Sequence, residues 1–256
     1  MSLPLTGRVA LVTGVSRRVG IGFATAARLA ALGAELCIHG YTPYDAAQPW
    51  GADSGGTAAL AMELAAGGQR VVPVEADFQQ PEAAATVMQA AVATYGHVDI
   101  VVANHAYSTL GGLEELTAAQ IDAHLAVNVR GSLLLVQAFA AQHDGRPGGR
   151  VVLLTSGQHL GPMPDALAYI ASKGALHQLT ASLAAALVER GITVNTVNPG
   201  ATATGWAAPD LYAAIRADHP QGRWGRPEDA ARLIGWLTTD EAAWITGQVI
   251  NSTGRP

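Results

Sequence analysis

Short apolar runs alternate with longer runs rich in alanine and leucine along the whole chain. Apolar positions on both faces of a short run are typical of strands in a parallel sheet that is covered on both sides. Seven runs have this pattern, at residues 8–13, 34–40, 70–76, 98–104, 150–156, 192–198 and 247–252. They predict an α/β fold, a Rossmann-type doubly wound parallel sheet flanked by helices on both faces.

The runs between these strands carry the end signals of helices. Gly33 predicts a helix stop, Thr117 with Gln120 predicts a capping box, and Pro227 predicts a first helical turn. Two long helices are expected near residues 117–143 and 167–190. No linker interrupts the alternation, so we expect a single domain over residues 1–256.

Composition narrows the possible classes of protein. Of the 256 residues, 49% are hydrophobic and 14% are charged, which favours a large buried core over disorder. A net charge of −5 gives no electrostatic reason to bind nucleic acid. No run of 18 uninterrupted apolar residues and no secretory signal is seen, so no membrane association is expected. The single cysteine, Cys37, fits a reducing compartment, and we expect a cytoplasmic protein.

Histidine and serine patterns exclude two further chemistries. The eight histidines show no metal-ligand spacing, and one cysteine cannot form a thiolate cluster, so no metal site is expected. No serine lies in a G-x-S-x-G turn, which leaves a hydrolase nucleophile unsupported.

The stretch T-G-V-S-R-R-V-G-I-G, residues 13–22, follows the first predicted strand and opens the first predicted helix. Glycines in this position let the backbone turn tightly and approach a pyrophosphate, while the helix N-terminus presents free N–H groups. The stretch therefore predicts a nucleotide site. The alternative is a strand-to-helix turn that holds nothing.

The second strand bears on the choice of nucleotide. In NAD-type sites an acidic residue near its end holds the ribose hydroxyls, but residues 37–42 read C-I-H-G-Y-T and contain no carboxylate. The nearest carboxylate is Asp45. Arg17 and Arg18 lie in the glycine turn, where a guanidinium could pair with a 2′-phosphate. NADP(H) is therefore favoured over NAD(H), unless both arginines are simply solvated.

The stretch Y-I-A-S-K places Tyr169 and Lys173 four residues apart, on one face of a predicted helix that starts near Leu167. A phenol has a pKa of about 10, which makes it a poor base at neutral pH. A nearby ammonium favours the phenolate, and the tyrosine can then exchange a proton with a substrate oxygen. The alternative is a surface tyrosine beside a solvated lysine.

Taken in order, these motifs resemble the short-chain dehydrogenase/reductase family over almost the full length of the chain. The resemblance rests on the glycine turn, A-D-F with Asp77, A-N-H-A at 103–106, V-N-V-R-G with Asn128, Ser156 thirteen residues before Tyr169, N-P-G-A-T-A-T at 198–204, G-R-P-E-D-A-A and I-T-G-Q-V-I. Within the family, the overall pattern resembles that of the 3-oxoacyl-thioester (acyl carrier protein) reductases.

The resemblance implies a mechanism and a cofactor site. Tyr169 would exchange a proton with the carbonyl oxygen, Ser156 would position that carbonyl, Lys173 would hold the nicotinamide ribose and lower the pKa of Tyr169, and Asn128 would anchor a water of the proton relay. The residues expected to contact the cofactor are Gly14, Ser16, Arg17, Arg18, Gly20, Ile21, Gly22, His39, Tyr41, Asp77, Phe78, Asn104, His105, Ala106, Tyr169, Lys173, Pro199, Gly200, Thr202 and Thr204. The family also implies a homotetramer, or a homodimer.

Three departures from the family pattern stand out. Five residues separate Gly14 from Gly20, where the family usually has three. His105 stands where the family commonly has alanine, and we expect it to be structural rather than catalytic. Residues 41–56 form a predicted loop that could close over the adenosine, reach a neighbouring subunit or do neither.

Residues 201–225 are expected to form a mobile substrate loop, with Trp206 and Trp224 over an apolar ligand. The pocket is expected to draw on Leu110, Leu160, Pro162, Met163 and Trp206, and His159 is a further candidate for its lining. Its apolar lining favours an NADP-dependent oxidoreductase that acts on a ketone and secondary alcohol pair, such as a 3-oxoacyl thioester. An imine, sugar or steroid substrate, or a non-catalytic nucleotide-binding protein on the same fold, remains as an alternative.

Overall fold

A computed structural model of the protein describes residues 2–255. Its seven strands form one sheet in the order β3-β2-β1-β4-β5-β6-β7, and each neighbouring pair is parallel. The strands are β1 Val9–Thr13, β2 Glu35–Gly40, β3 Val71–Glu75, β4 Ile100–Ala103, β5 Gly149–Leu154, β6 Ile192–Asn198 and β7 Val249–Asn251. The predicted doubly wound parallel sheet is therefore confirmed.

Helices cover both faces of this sheet. They are α1 Ile21–Ala31, α2 Thr42–Ala46, α3 Gly56–Ala65, α4 Ala83–Tyr95, α5 Ala118–His124, α6 Gly131–Gln142, α7 Leu167–Leu187, α8 Pro209–Asp218 and α9 Pro227–Leu237. One core packs α1, α3 and α9 against the sheet, around Leu29, Leu60 and Ile234. The other packs α4, α6 and α7 against the opposite face, around Phe139 and Leu176.

The residues predicted to begin or end helices do so in the structure. The Thr117 hydroxyl accepts from the Gln120 backbone N–H, and the Gln120 side chain accepts from the Thr117 backbone N–H, which completes the capping box. Gly33 follows α1 with a φ of +102°, a conformation that favours glycine, and Pro227 opens α9.

Three expectations need correction. The helix predicted over residues 117–143 is interrupted by a π-helical segment, Leu125–Arg130, between α5 and α6. Residues 41–56 are not a loop throughout, because they contain α2 and the first residue of α3. Strands β3 and β7 are only partly buried, because each lies at an edge of the sheet.

Strand order places a crevice at one end of the sheet. β1 lies between β2 and β4, so the connections from β1 and from β4 run to opposite sides. Ligands of open α/β sheets bind outside the carboxyl ends of the strands at such a switch point. The glycine turn after β1 and the A-N-H-A stretch after β4 both open into this crevice.

The helical stretch Ala118–Gln142 is long and apolar enough to span a bilayer, by length and composition only. Half of its apolar window is buried inside the fold, as is common for a helix that packs against a sheet. It is weak evidence for a membrane segment.

Candidate active site

One cavity of about 680 Å³ opens at the carboxyl ends of the strands. Its wall joins the glycine turn, the ends of β2 and β3, the segment after β4, the start of α7 and the segment after β6. The residues predicted to bind the nucleotide and the residues predicted to act in catalysis therefore line the same cavity.

The glycine turn lies tightly against the segment after β4. Gly14 has a φ of +71°, and a Cβ on it would lie 2.8 Å from the Asn104 side-chain nitrogen. That nitrogen donates to the carbonyls of Thr13 and Gly14, at 3.1 and 3.0 Å. A Cβ on Gly22 would lie 2.2 Å from the Gly14 carbonyl, so α1 packs directly on the turn. Only glycine fits these places, which leaves the backbone open to a phosphate.

Most of the predicted cofactor residues line this cavity. They are Gly14, Ser16, Arg17, Gly20, Ile21, His39, Tyr41, Asp77, Phe78, Asn104, His105, Ala106, Tyr169, Pro199, Gly200, Thr202 and Thr204. Arg18, Gly22 and Lys173 are not among its lining residues. Gly22 serves the packing of α1, and Lys173 is buried behind the wall.

The two arginines of the turn have different environments. The Arg17 guanidinium donates to the Thr204 carbonyl at 2.5 Å and lies over the ring of Trp50, 5.1 Å from its centroid. The Arg18 guanidinium pairs instead with Glu63 at 2.7 Å and with Asp53 at 3.4 Å. Arg18 is exposed, and these carboxylates raise its pKa.

The end of β2 has no room for an acidic side chain. A Cβ on Gly40 would lie 2.2 Å from the Thr57 hydroxyl and 3.1 Å from the Val15 carbonyl. His39 is buried beside it, donates from Nε2 to the Ala76 carbonyl at 2.9 Å, and accepts at Nδ1 from the Gly14 N–H at 3.4 Å. Burial lowers the pKa of His39 to about 4, so the ring is neutral at physiological pH.

Ser156 and Tyr169 meet on the catalytic side of the cavity, where both line the wall. Ser156 follows β5, and Tyr169 lies in the first turn of α7. Burial raises the pKa of Tyr169, and a hydrogen bond with the Ser156 side chain lowers it in part. The phenol is therefore protonated at neutral pH.

Lys173 lies one helical turn beyond Tyr169 and is 2% exposed. Its Nζ donates to the Leu154 carbonyl at 2.9 Å and lies 5.8 Å from the centroid of the Tyr169 ring. Burial lowers the pKa of Lys173 to about 8. The expected lowering of the Tyr169 pKa by this ammonium is not seen, since burial is the dominant influence on the phenol.

Asn128 lies in the π-helical segment and is fully buried. Its side-chain oxygen accepts from the Tyr107 N–H at 2.7 Å, and its side-chain nitrogen donates to the Tyr107 carbonyl at 2.9 Å and to the Ser172 hydroxyl at 2.8 Å. Asn128 therefore fixes the backbone after β4 to α7, the helix that carries Tyr169.

His105 is 6% exposed and its ring nitrogens are both bonded. Nε2 donates to the Val127 carbonyl at 3.1 Å, so Nδ1 accepts from the Thr13 hydroxyl at 2.7 Å. Its ring stacks on Phe78 with centroids 4.0 Å apart, and burial lowers its pKa well below the usual range. These contacts suit a structural residue in the cavity wall.

The predicted substrate pocket is correct only in part. Met163, Leu110 and Trp206 line the cavity, whereas Leu160 and Pro162 do not. His159 also lies outside the lining, where it contacts Asn251.

The predicted substrate loop contains α8. Trp224 is buried at its C-terminal end, where its ring stacks on Tyr212 with centroids 4.7 Å apart. Of the two tryptophans, Trp206 alone faces the ligand space.

Sequence reasoning did not include part of residues 41–51 in the site. This segment contributes Tyr44, Asp45, Gln48, Pro49 and Trp50 to the cavity wall. The unusual length of the region was a visible signal, but it did not show which side chains turn inward. Among residues 2–255, no three histidine, cysteine, aspartate or glutamate side chains lie close enough to hold a metal ion.

A parallel sheet with this glycine turn and with serine, tyrosine and lysine around one crevice has the architecture of a nucleotide-dependent oxidoreductase. Comparison with known proteins agrees. A family model described as enoyl-(acyl carrier protein) reductase matches residues 14–254. The uncharacterized oxidoreductase YjdA of Bacillus subtilis is 37% identical over 249 residues, which cover 96% of each chain.

Two further relatives have more specific names. Hydroxynaphthalene reductase-like protein Arp2 of Metarhizium robertsii is 32% identical, covering 98% of this chain and 95% of its own. The solved structure of the angucycline C-6 ketoreductase LanV with bound NADP superposes with a TM-score of 0.87 at 32% identity, covering 99% of this chain and 97% of its own. The chain belongs to the short-chain dehydrogenase/reductase family, and the predicted resemblance is confirmed.

Proposed function

We propose that the protein reduces an apolar ketone to a secondary alcohol with NADPH. The observation that carries this proposal is the shared cavity, in which Ser156 and Tyr169 face the same space as the glycine turn. A protein that only bound a nucleotide would have no need of a buried lysine behind a tyrosine and a serine.

The choice of NADPH rests on the end of β2. A ribose-binding carboxylate at Gly40 is excluded by the Thr57 hydroxyl. Arg17 lines the cavity from the glycine turn and offers a guanidinium to a 2′-phosphate, whereas Arg18 is paired with Glu63 and Asp53 outside the cavity lining. The related ketoreductase LanV carries NADP in its solved structure.

When bound, NADPH supplies the hydride that adds to the carbonyl carbon. Tyr169 donates its proton to the carbonyl oxygen, and the Ser156 hydroxyl donates a hydrogen bond to the same oxygen and holds it in place. The resulting phenolate takes a proton back from solvent. Burial raises the pKa of Tyr169, so the phenol holds the proton that this step requires at neutral pH.

The wall beyond Tyr169 favours a flat aromatic ketone. Tyr107 and Met163 line the cavity with Trp206, and the exposed Leu110 lies at its edge. Apolar and aromatic walls bury fused rings well, because each ring offers a large face to pack. The relative named hydroxynaphthalene reductase-like protein is consistent with a fused-ring substrate.

The test is NADPH oxidation, followed by absorbance, against fused-ring aromatic ketones, 3-oxoacyl thioesters, steroids, sugars and a cyclic imine. We expect the highest kcat/KM with a fused-ring ketone, and loss of that turnover in Tyr169→Phe. Turnover confined to the thioester would replace the substrate class. Tight NADPH binding without turnover on any carbonyl would contradict catalysis and favour the nucleotide-binding alternative.

We also propose that the protein is cytoplasmic and forms a homotetramer or a homodimer. The long α7 offers small side chains on its exposed positions, which permits close helix packing between subunits. Light scattering at two protein concentrations tests the assembly.

A further inference from the structure

Residues 107–111, called here the wall segment, follow β4 along one side of the cavity. Residues 107–110 all line the cavity. The wall segment forms no helix or strand, and its one bridge to another element joins Gly111 to Ala166, just before α7. Backbone N–H and carbonyl groups that have no partner in a helix or a sheet must be satisfied in another way.

Side chains from helices hold the two sides of the wall segment. Asn128, in the π-helical segment, bonds both the N–H and the carbonyl of Tyr107. His124, the last residue of α5, donates from Nδ1 to the Gln120 carbonyl at 2.7 Å, so its Nε2 accepts from the Thr109 N–H at 3.2 Å. The backbone is therefore fixed on either side of residue 108.

Ser108 is held by Tyr44, which comes from a distant part of the fold. The Tyr44 hydroxyl donates to the Ser108 carbonyl and accepts from the Ser108 N–H, both at 3.2 Å. Tyr44 lies in α2, which follows β2, and β1 separates β2 from β4 in the sheet. Burial is the main reason that the pKa of Tyr44 rises to about 12, so the hydroxyl keeps the proton that it donates.

The ring of Tyr44 continues the aromatic lining of the cavity. It meets the ring of Tyr107 with centroids 5.6 Å apart and planes inclined at 54°. The Tyr107 ring lies edge-on to His124 at 4.9 Å, and His124 lies 6.3 Å from the Tyr169 ring. Tyr44 and Tyr107 both line the cavity, so together they present an aromatic face that adjoins the proton donor through His124.

This face suits the part of a ketone that lies beyond its carbonyl group. Ser156 and Tyr169 bind only the carbonyl oxygen, so the remaining rings must pack elsewhere. Residues 107–111 carry no charge, and aromatic side chains pack well against flat rings. A ketone with one ring is held mainly at its carbonyl, whereas fused rings extend along the wall segment.

We infer that Tyr44 is a specificity-determining residue for the ketone: its hydroxyl holds the wall segment in place, and its ring completes with Tyr107 the face against which fused rings pack. This inference rests on the proposed reduction of a fused-ring ketone. It assigns to the segment after β2 a role in substrate selection that is separate from cofactor binding.

The test compares ketones of increasing size at saturating NADPH: cyclohexanone, α-tetralone and a tetrahydrophenanthrenone, with one, two and three rings. Tyr44→Phe keeps the aromatic ring and removes both hydrogen bonds to Ser108. We expect its KM for the three-ring ketone to rise about tenfold, because two hydrogen bonds that hold the wall segment are lost. The KM for cyclohexanone and the kcat for all three ketones should change by less than about threefold, because Ser156 and Tyr169 are intact.

Tyr44→Leu removes the aromatic ring as well as the hydroxyl. Its KM for α-tetralone and for the three-ring ketone should rise about threefold further, because the aromatic packing is also lost. Calorimetry with NADPH should give a Kd within about twofold of the wild type for both variants, since the wall segment is assigned to the substrate.

Tyr95→Phe is the matched control. The Tyr95 hydroxyl also bonds the backbone of distant residues, since it donates to the Leu36 carbonyl at 2.7 Å and lies 3.0 Å from the Arg70 carbonyl, but Tyr95 does not line the cavity. Its loss should lower the Tm and leave the KM for each ketone unchanged. Thermal melting of every variant establishes that it is folded.

Two results would overturn the role of Tyr44 alone. One is a set of KM values that Tyr44→Phe and Tyr44→Leu leave unchanged or change equally for all three ketones, which would make Tyr44 merely structural. The other is a loss confined to the Kd for NADPH, which would make Tyr44 a cofactor contact. Absence of turnover of the fused-ring ketones by the folded wild type would overturn the proposed substrate class, and the inference with it.

Discussion

Lys173 is predicted to lower the stability of the ligand-free protein, and replacing it by methionine should stabilise the fold. Its side chain is 2% exposed, and burial lowers its pKa from an ordinary value of 10.5 to about 8. In the unfolded chain the amine is fully charged at pH 7 and well solvated, so folding must move that charge out of water.

The magnitude follows from proton linkage. Each tenfold change in proton affinity is worth about 1.4 kcal/mol, so the lowered pKa of Lys173 costs the fold about 3 kcal/mol at pH 7. Methionine avoids this cost and fills a similar volume, but it gives up the hydrogen bond to the Leu154 carbonyl, worth about 1 kcal/mol. Lys173→Met should therefore gain about 2 kcal/mol at pH 7, or a Tm higher by about 4–8 °C for a protein of this size.

The gain should disappear at high pH. Between pH 8 and 10.5 the unfolded chain holds a proton that the folded lysine has lost, so the wild-type stability rises with pH across this window. The lysine and methionine proteins should become equally stable near pH 10, and the lysine protein should be slightly more stable above that.

The assay is thermal melting of nucleotide-free wild type and Lys173→Met at pH 7, 8, 9 and 10. Leu176→Met is the matched control, because it places a methionine at a buried position of α7 without removing a charge, and its Tm difference should not vary with pH. A Lys173→Met protein that is less stable than wild type at pH 7, or a Tm difference that does not change with pH, would refute the reasoning.

Three further predictions follow from the site. Tyr169→Phe should reduce kcat for ketone reduction by about a thousandfold while the Kd for NADPH stays within about twofold, because only the proton donor is lost; steady-state kinetics and calorimetry check this. Gly40→Asp should destabilise the protein instead of switching it to NADH, because its Cβ meets the Thr57 hydroxyl, and Thr57→Ala should recover part of the lost Tm. His39→Gln should flatten the fall of stability between pH 6.5 and about 4, because in this window the unfolded chain binds a proton at His39 that the folded state does not; urea unfolding at several pH values measures the slope.

The sheet could be predicted from sequence because its signal is local. The inner strands are buried on both faces, and the mostly apolar runs of β1, β4 and β5 stand out from the longer helical runs that follow them. The edge strands show the limit of that signal, since β3 and β7 carry similar sequences but are only partly buried. Which strand lies at an edge depends on the order of the strands in the sheet. The sequence of a single strand does not reveal that order.

The sequence pattern also did not predict the π-helical segment. Residues 117–143 have an unbroken apolar pattern that fits one α-helix, but Asn128 turns its side chain to the Tyr107 backbone and to Ser172 instead of out of the helix. The extra residue in that turn allows this orientation, and its partners lie 21 and 44 positions away. The V-N-V-R-G motif identified Asn128 as a site residue, but only the tertiary contacts explain the π-helical conformation around it.

Two departures from the family pattern lie in the cofactor region: the glycine turn and residues 41–56. They contact each other in the folded protein. Taken singly, the glycine turn offered two neighbouring arginines with one expected task, and residues 41–56 offered three alternatives between which the sequence did not decide. In the structure the longer turn carries Arg17 outward to Trp50 of that segment and to Thr204, which lies 187 positions away in sequence, while Arg18 turns to α3. Adjacent side chains of a turn leave the backbone in different directions. Their partners are therefore seen only in the folded protein and not in the sequence.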